Sequence, residues 1–298
     1  MNKYPIFIVS KGRADTSLTA KCFIEDGVPF RVLVEPQEYD AYCAALGKQY
    51  IQPLPFANLG LGSYPARNHA WELALKMGAQ RHWVFDDNIR GFRRLHKGKK
   101  IPCSSKVAIH YAEDFTDRYT NIAISGFQYS TFSVPQNSGQ KPLQFNCHCY
   151  SAMLIKCDMP YRWRLKYNED VDLCLQVLHN KLCTVLFMAL LVDKTSTVAK
   201  MKGGNQDELY KGNAYEKKVL KARSLEEIWP QYVKTKMRFN RPHHWVDWAK
   251  EFNHPLIRRS DIDWNALAQK KIDVTLRIKG NVQSQSLKRF IESERNVV

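Results

Sequence analysis

The stretch HWVFDDNIRGFRRLHKGKK, from His82 to Lys100, ends an apolar run in Asp86, Asp87 and Asn88. It then turns at once into Arg90, Arg93, Arg94, Lys97, Lys99 and Lys100. Two carboxylates and a carboxamide at the end of a buried strand are the oxygen ligands a hard divalent cation takes, with positions left open for phosphate oxygens. Mg2+ or Mn2+ held there would neutralise a departing diphosphate. The same three residues also suit a plain turn, because Asp and Asn favour turns. A second acidic cluster, Asn168-Glu169-Asp170-Val171-Asp172, opens an apolar stretch with helical spacing. Stabilising the helix N-terminus accounts for Asp172. Glu169 and Asp170 exceed what capping needs, and a carboxylate on a helix end that lines a cleft can take the proton of an acceptor hydroxyl.

The basic residues are as informative as the acidic ones. The chain of 298 residues carries 45 Lys and Arg against 29 Asp and Glu, a formal net charge of +16. Such a field favours a polyanion as partner. The basic run from Arg90 to Lys100 reads as a loop that clamps a DNA backbone, or as a solvated loop. MRFNRPHHWVDW (237–248) offers Arg241 and His244 to phosphate and Trp245 or Trp248 to an extruded base. The alternative is a helix whose two tryptophans, three apart, dock the tail on the core. No eighteen apolar residues run together, and no basic amphipathic helix or lipidation signal is seen, which points away from a membrane. The apolar run in MNKYPIFIVSKGRAD is too short for a secretory signal, so a cytoplasmic protein is expected. Eight irregularly spaced cysteines suit reduced thiols. Cys147 and Cys149 would face one side of a strand and His148 the other, which argues against zinc.

These residues need elements to hold them. PIFIVS, FRVLVE, QYIQPLP and HWVF read as strands, separated by helices in SLTAKCFIEDG, QEYDAYCAAL and ARNHAWELALKMG. That alternation predicts an α/β protein with a mostly parallel central sheet flanked by helices, binding ligand beyond the carboxyl ends of its strands. Asp86 to Asn88 stand at such an end. Residues 101–165 read as an antiparallel extension, NEDVDLCLQVLHNK as a buried helix and CTVLFMALLVD as a further strand. Beyond them the chain reads as helical around 214–238 and near 243–253. The expected organisation is a catalytic domain over 1–205 and a basic, mainly helical extension over 206–298 that binds the acceptor.

The PIFIVSKGR opening, the ARN-bearing helix, FDDN and the later NEDVDL together resemble the GT-A nucleotide-sugar glycosyltransferases over residues 5–205. FDDN stands in the place of their DxD motif and NEDVD in that of their ED motif. With the basic tail, the chain is similar to the TET-associated glycosyltransferases of phage genomes, which act on hydroxymethylated pyrimidines in DNA. The resemblance implies a Rossmann-like GT-A sheet. It also implies a UDP-sugar donor (UDP-glucose or UDP-GlcNAc) and a DNA acceptor. Ser10, Lys11, Arg13 and Glu35 would hold the nucleotide, Arg67 the ribose or phosphates, and Asp86 the ribose or donor sugar. Asp87 and Asn88 would hold Mn2+ or Mg2+, with Asn88 departing from the usual Asp. Asp170 would be the base, with Glu169 beside it. Where a later His often completes the metal site, the chain offers Lys194 and Lys202, which supply charge but no ligand. Rival expectations are a GT-A enzyme acting on a glycan or protein, a DNA-binding protein on a transferase scaffold, and a sugar-phosphate nucleotidyltransferase. The last lacks its Gly-rich loop, since SKGR has a single glycine.

Overall fold

The computed structural model describes residues 2–96, 98–133, 141–195, 203–204, 214–238 and 240–268. Four short apolar strands, β1 (Ile6–Val9), β2 (Arg31–Val34), β3 (Ile51–Pro53) and β4 (Arg81–Asp86), run parallel in the order β3-β2-β1-β4. They are joined by α1 (Leu18–Glu25), α2 (Tyr39–Leu46) and α3 (Tyr64–Lys76). Strands covered on both faces need apolar residues at their buried positions, and IFIV and, after exposed Arg31, VLV supply them. Gly27 and Gly78, just past α1 and α3 at φ 64° and 68°, take the left-handed conformation that ends a helix cheaply only at glycine.

The sheet continues through β9 (Ala152–Lys156), β7 (Ile122–Tyr129), β10 (Cys183–Lys194), β5 (Ile89–His96) and β6 (Lys99–Cys103), with β8 (Leu143–Phe145) also against β10. It has ten strands. β1, β2, β3, β4, β7, β10 and β6 run one way, and β9, β5 and β8 the other. The sheet is therefore mostly parallel and flanked by helices, as its sequence predicts.

Three expectations are corrected. Residues 101–165 do not form an antiparallel extension: β7 and β9 enter the middle of the sheet, and SKVAIHYAEDFT is a helix, α4 (Ser105–Thr116). Its buried face (Ser105, Ala108, Ile109, Ala112, Glu113, Thr116) is made largely of small and polar residues in place of the large apolar ones that mark a core-facing helix. The basic run is not a loop, because Arg90, Arg93 and Arg94 lie on β5 and Lys99 and Lys100 on β6, the sheet's edge hairpin. Charged residues on an edge strand deter pairing with another chain. Among the described residues past 205, the chain is not helical throughout 214–238 and 243–253. After α6 (Ala214–Ile228) it forms a hairpin of β11 (Val233–Arg238) and β12 (Arg241–Val246), and then a single turn, α7 (Trp248–Glu251). Trp245 thus sits on a strand, and Asn240 takes φ 56° in the turn.

Alternate residues of each strand feed two cores. On β4, Trp83 and Phe85 face one cluster with Phe23 and Phe127, while Val84 faces the other with Trp71, Met153 and Trp163. The second cluster also takes in Leu225, Trp229, Val233, Val246 and Phe252 from beyond 205. α5 (Glu169–His179) carries fully buried Asp172, which caps nothing. It accepts hydrogen bonds from Trp229 Nε1 at 2.7 Å, Gln176 Nε2 at 2.8 Å and Arg164 Nη2 at 3.0 Å. Among the described residues no helix is long and apolar enough to cross a membrane.

Trp71 is fully buried on α3, and its indole donates to the Cys157 carbonyl at 2.9 Å. Trp71→Ala should lower stability by about 3–5 kcal/mol. Urea unfolding measures this, and a loss under about 1 kcal/mol would contradict the packing described.

Candidate functional site

The carboxyl ends of β1, β2, β4, β7 and β10 share one rim. Val9 on β1 lies opposite Asp86 on β4, so Ser10, Lys11 and Arg13 emerge beside the FDDN turn. Glu35 follows β2, Lys194 ends β10, and Ser151 precedes the oppositely running β9.

Asp86 lies between two cations. Its Oδ1 accepts from Arg67 Nη2 at 2.6 Å, and its Oδ2 accepts from Lys194 Nζ and Ser151 Oγ, each at 2.7 Å. Burial raises the Asp86 carboxyl, but Lys194 and Arg67 outweigh it and hold the group well below the usual carboxylate range. Lys194 is held by Asp86, by the Tyr129 hydroxyl at 3.0 Å and by Ser151. Burial works against its charge, yet Asp86 lifts it above an ordinary lysine.

Asp87 points into a different set. It is buried, accepting from Arg13 Nη1 at 2.6 Å and from Ser10 Oγ at 2.7 Å. Burial pushes its carboxyl up against the pull of Arg13. The Tyr42 hydroxyl supports both partners, bonding Ser10 Oγ at 2.6 Å and accepting from the Arg13 amide at 3.0 Å. Asn88 donates its Nδ2 to the Thr195 carbonyl at 2.8 Å, leaving its buried Oδ1 without a partner. Lys11 pairs with Glu35 at 2.9 Å on the wall of a narrow cleft shared with Ser10, Leu54, Phe56 and Ser63.

Arg67 joins the two acidic clusters. Besides Asp86, its Nε lies 3.1 Å from Ser63 Oγ and 3.6 Å from Glu169, and Ser63 donates to Glu169 at 2.7 Å. The guanidinium lies 4.9 Å from the centroid of the Trp163 ring, and its buried Nη1 has no hydrogen-bond partner. Burial raises Glu169, Arg67 opposes the rise, and Asp170 adds to it. Asp170 lies 3.1 Å from His148 Nε2. Burial alone would raise Asp170, but His148 brings it below the carboxylate range. Reciprocally, burial disfavours the imidazolium and Asp170 restores it, so His148 titrates above an ordinary histidine. Its ring stacks on Trp248, with centroids 6.1 Å apart and planes at 16°. His244, pushed down to about 4 by burial and then by His148, belongs to the same surroundings.

The sequence reading weighs His148 only as a zinc ligand beside Cys147 and Cys149, and does not single out Tyr129, Ser151, Ser63 or Trp163. Residues 146–151 are irregular, not a strand, and Asn146 and Ser151 both take positive φ. A polar residue at such a turn is the signal that was available. None of the predicted DNA-binding residues contacts Asp86 itself among the bonds described. Arg93 pairs with Asp193 at 3.0 Å and Arg90 lies 3.7 Å from it. Lys100 donates to the Ser130 carbonyl, Arg94 and Lys99 lie along the edge hairpin, and Arg241 donates to His243 at 2.7 Å. Lys97 and Lys202 fall outside the described residues.

The FDDN turn predicts a divalent cation on Asp87 and Asn88, and the residues present do not fit one. Both carboxylates of the turn are committed to cations, Asp86 to Arg67 and Lys194, Asp87 to Arg13. Among the described residues no group of three or more His, Cys, Asp or Glu side chains gathers to hold an ion.

An α/β sheet that collects cations and carboxylates beyond the carboxyl ends of its parallel strands has the build of a ligand-binding enzyme of the open-sheet class. The sequence model of the TET-associated glycosyltransferases matches residues 4–204, and the chain belongs to that family. It is a glycosyltransferase by that membership, with a nucleotide-sugar donor implied. No curated protein matches the sequence. A solved structure from Desulfovibrio desulfuricans G20, described as a nucleotide-diphospho-sugar transferase, is similar at TM-score 0.36 and 14% identity, covering 63% of this chain and 80% of that one.

Because His148 titrates above its unfolded value, it contributes stability that is fully present below pH ~6.5 and is lost as pH rises through its folded pKa. The advantage of the wild type over His148→Gln should therefore be larger at about pH 6 than at about pH 9. Urea unfolding at both pH values reads this directly, and a constant difference would mean that Asp170 does not hold the imidazolium.

Proposed function

We propose that the protein transfers a sugar from a UDP-sugar, UDP-glucose or UDP-GlcNAc, to the hydroxyl of a hydroxymethylated pyrimidine in DNA, working in the cytoplasm of a phage-infected host. The observation that carries the reading is the contact of Arg67 with both Asp86 and Glu169, which sets the FDDN turn and the NEDVD helix at one rim. On this reading the cleft beside Lys11 and Glu35 takes the nucleoside, and Arg67 Nη1 is free to meet a phosphate oxygen. The acceptor oxygen attacks the anomeric carbon as its bond to the diphosphate breaks. Asp170, kept ionised by His148, takes the acceptor proton when configuration inverts.

Charge supports the acceptor. The net +16 and the side chains of Arg90, Arg93, Arg94, Lys97, Lys99, Lys100, Arg241 and His244 suit a phosphate backbone, which fixes register without reading sequence. Lys236 Nζ lies 3.3 Å from the centroid of the Trp245 ring, so the tail hairpin presents charge and aromatic surface together. In this division of labour residues 1–205 hold the donor and the chemistry, and the later residues engage DNA. A base inside duplex must be extruded or met in a single strand.

Incubation with UDP-sugars and DNA containing 5-hydroxymethylcytosine or 5-hydroxymethyluracil should give a hexose-sized mass gain on the released nucleoside. Asp170→Asn should reduce turnover by at least ~100-fold while DNA affinity stays within about twofold. Transfer to a glycan or protein but never to DNA would reassign the acceptor. Turnover unchanged in Asp170→Asn would remove that carboxylate from the chemistry.

A further inference from the structure

The place a metal ion would take in the FDDN turn is filled by side-chain cations. Lys194 Nζ stands 2.7 Å from Asp86, and the Arg67 guanidinium 2.6 Å from the other oxygen of the same carboxylate. The next carboxylate, Asp87, is closed off by Arg13. An arriving divalent cation would meet positive charge at every carboxylate of the turn. An arriving diphosphate would meet one carboxylate set between two cations, together with Arg67 Nη1, a buried donor without a partner. The sequence after Asp193, KTSTVAKMKGGNQ, contains lysines and no His, Asp or Glu.

We infer that this transferase neutralises the donor's diphosphate with its own Lys194 and Arg67 and uses no divalent cation for that purpose. The inference rests on the transferase reading above and specifies how its leaving group is met. Two of the groups that hold Lys194, the Tyr129 and Ser151 hydroxyls, are neutral. A phosphate oxygen brings to the ammonium a negative charge that a hydroxyl lacks, so the diphosphate displaces a hydroxyl and leaves the Asp86 carboxylate in place. In the transfer, the bond from the anomeric carbon to the diphosphate oxygen breaks and its electron pair stays on that oxygen, beside the ammonium. Lys194 keeps its protons. The acceptor oxygen forms the new bond, and its proton passes to Asp170. Lys194 sits at the end of β10 and is anchored through Asp86, so its charge is oriented before the donor arrives.

The test is calorimetric titration of the full chain with UDP, GDP, CDP and ADP after removal of metal ions, in EDTA and then in Mn2+ or Mg2+. At least one nucleoside diphosphate should bind in EDTA, with its Kd changed less than about threefold by either ion. Lys194→Ala should weaken that binding by about tenfold or more, and Lys194→Arg should restore most of it, with circular dichroism confirming that both variants are folded. Binding strengthened about threefold or more by Mn2+ or Mg2+ would overturn the inference and leave the transferase reading standing. Undiminished affinity in folded Lys194→Ala would also overturn it. Failure of every nucleoside diphosphate to bind, with or without ions, would overturn both.

Discussion

The candidate site depends on the placement of one guanidinium. Arg67 projects from α3 with almost no exposure and touches Asp86 from the sheet, Ser63 at the N-cap of its own helix and Glu169 from α5. Those elements are distant in sequence and converge only because β4 ends and α5 begins at the same rim. A planar fork with donors in several directions can serve two carboxylates at once, which a lysine ammonium on a flexible stem does less well. Burial opposes the charge of Arg67, yet Asp86 and Glu169 raise its affinity for the proton above an ordinary arginine. Removing it would leave two inward-facing carboxylates short of a cation.

The same logic repeats along the rim. Asp87 has Arg13, Asp86 has Lys194 as well as Arg67, and Asp170 has His148. Ions removed from water are tolerated only when paired and hydrogen-bonded. The neutral groups around them, Ser10, Tyr42, Ser151 and Tyr129, supply the remaining bonds. Such pairing adds little net stability compared with an apolar core. What it yields is a fixed pattern of charge at a place where a charged ligand can exchange with one of the partners.

Much of this was legible in the sequence. The β-α repeats through residue 86 are legible because strands covered on both faces carry short, nearly continuous apolar runs, and FDDN marks where one of them ends. The second acidic cluster was placed correctly on a helix start because its apolar spacing follows it without interruption. Elements whose burial is narrow were illegible. α4 buries two Ala and one Ile beside Ser105, Glu113 and Thr116, and the VKTKMR and RPHHWV strands are polar over most of their length. They form strands because they pair with each other and rest on α6, which is tertiary context and not local preference. His148 was hidden for a similar reason. Its importance lies in a contact with Asp170 that no spacing in the chain reveals.

The C-terminal segment changes how the base should be viewed. Asp172 anchors α6 through the Trp229 indole, and β12 leads from His244 into Trp248, which stacks on His148. The residues around the Asp170–His148 pair therefore come from both sides of position 205. Leu225, Trp229, Val233, Val246 and Phe252 share one apolar cluster with Val171 and Trp163. A cut at 205 would strip away that cover and let water reach the imidazole. Solvent there would weaken its hold on Asp170, because the attraction of two charges falls as the effective dielectric rises. On the reading proposed, the segment that engages the acceptor also covers the imidazole that keeps Asp170 ionised.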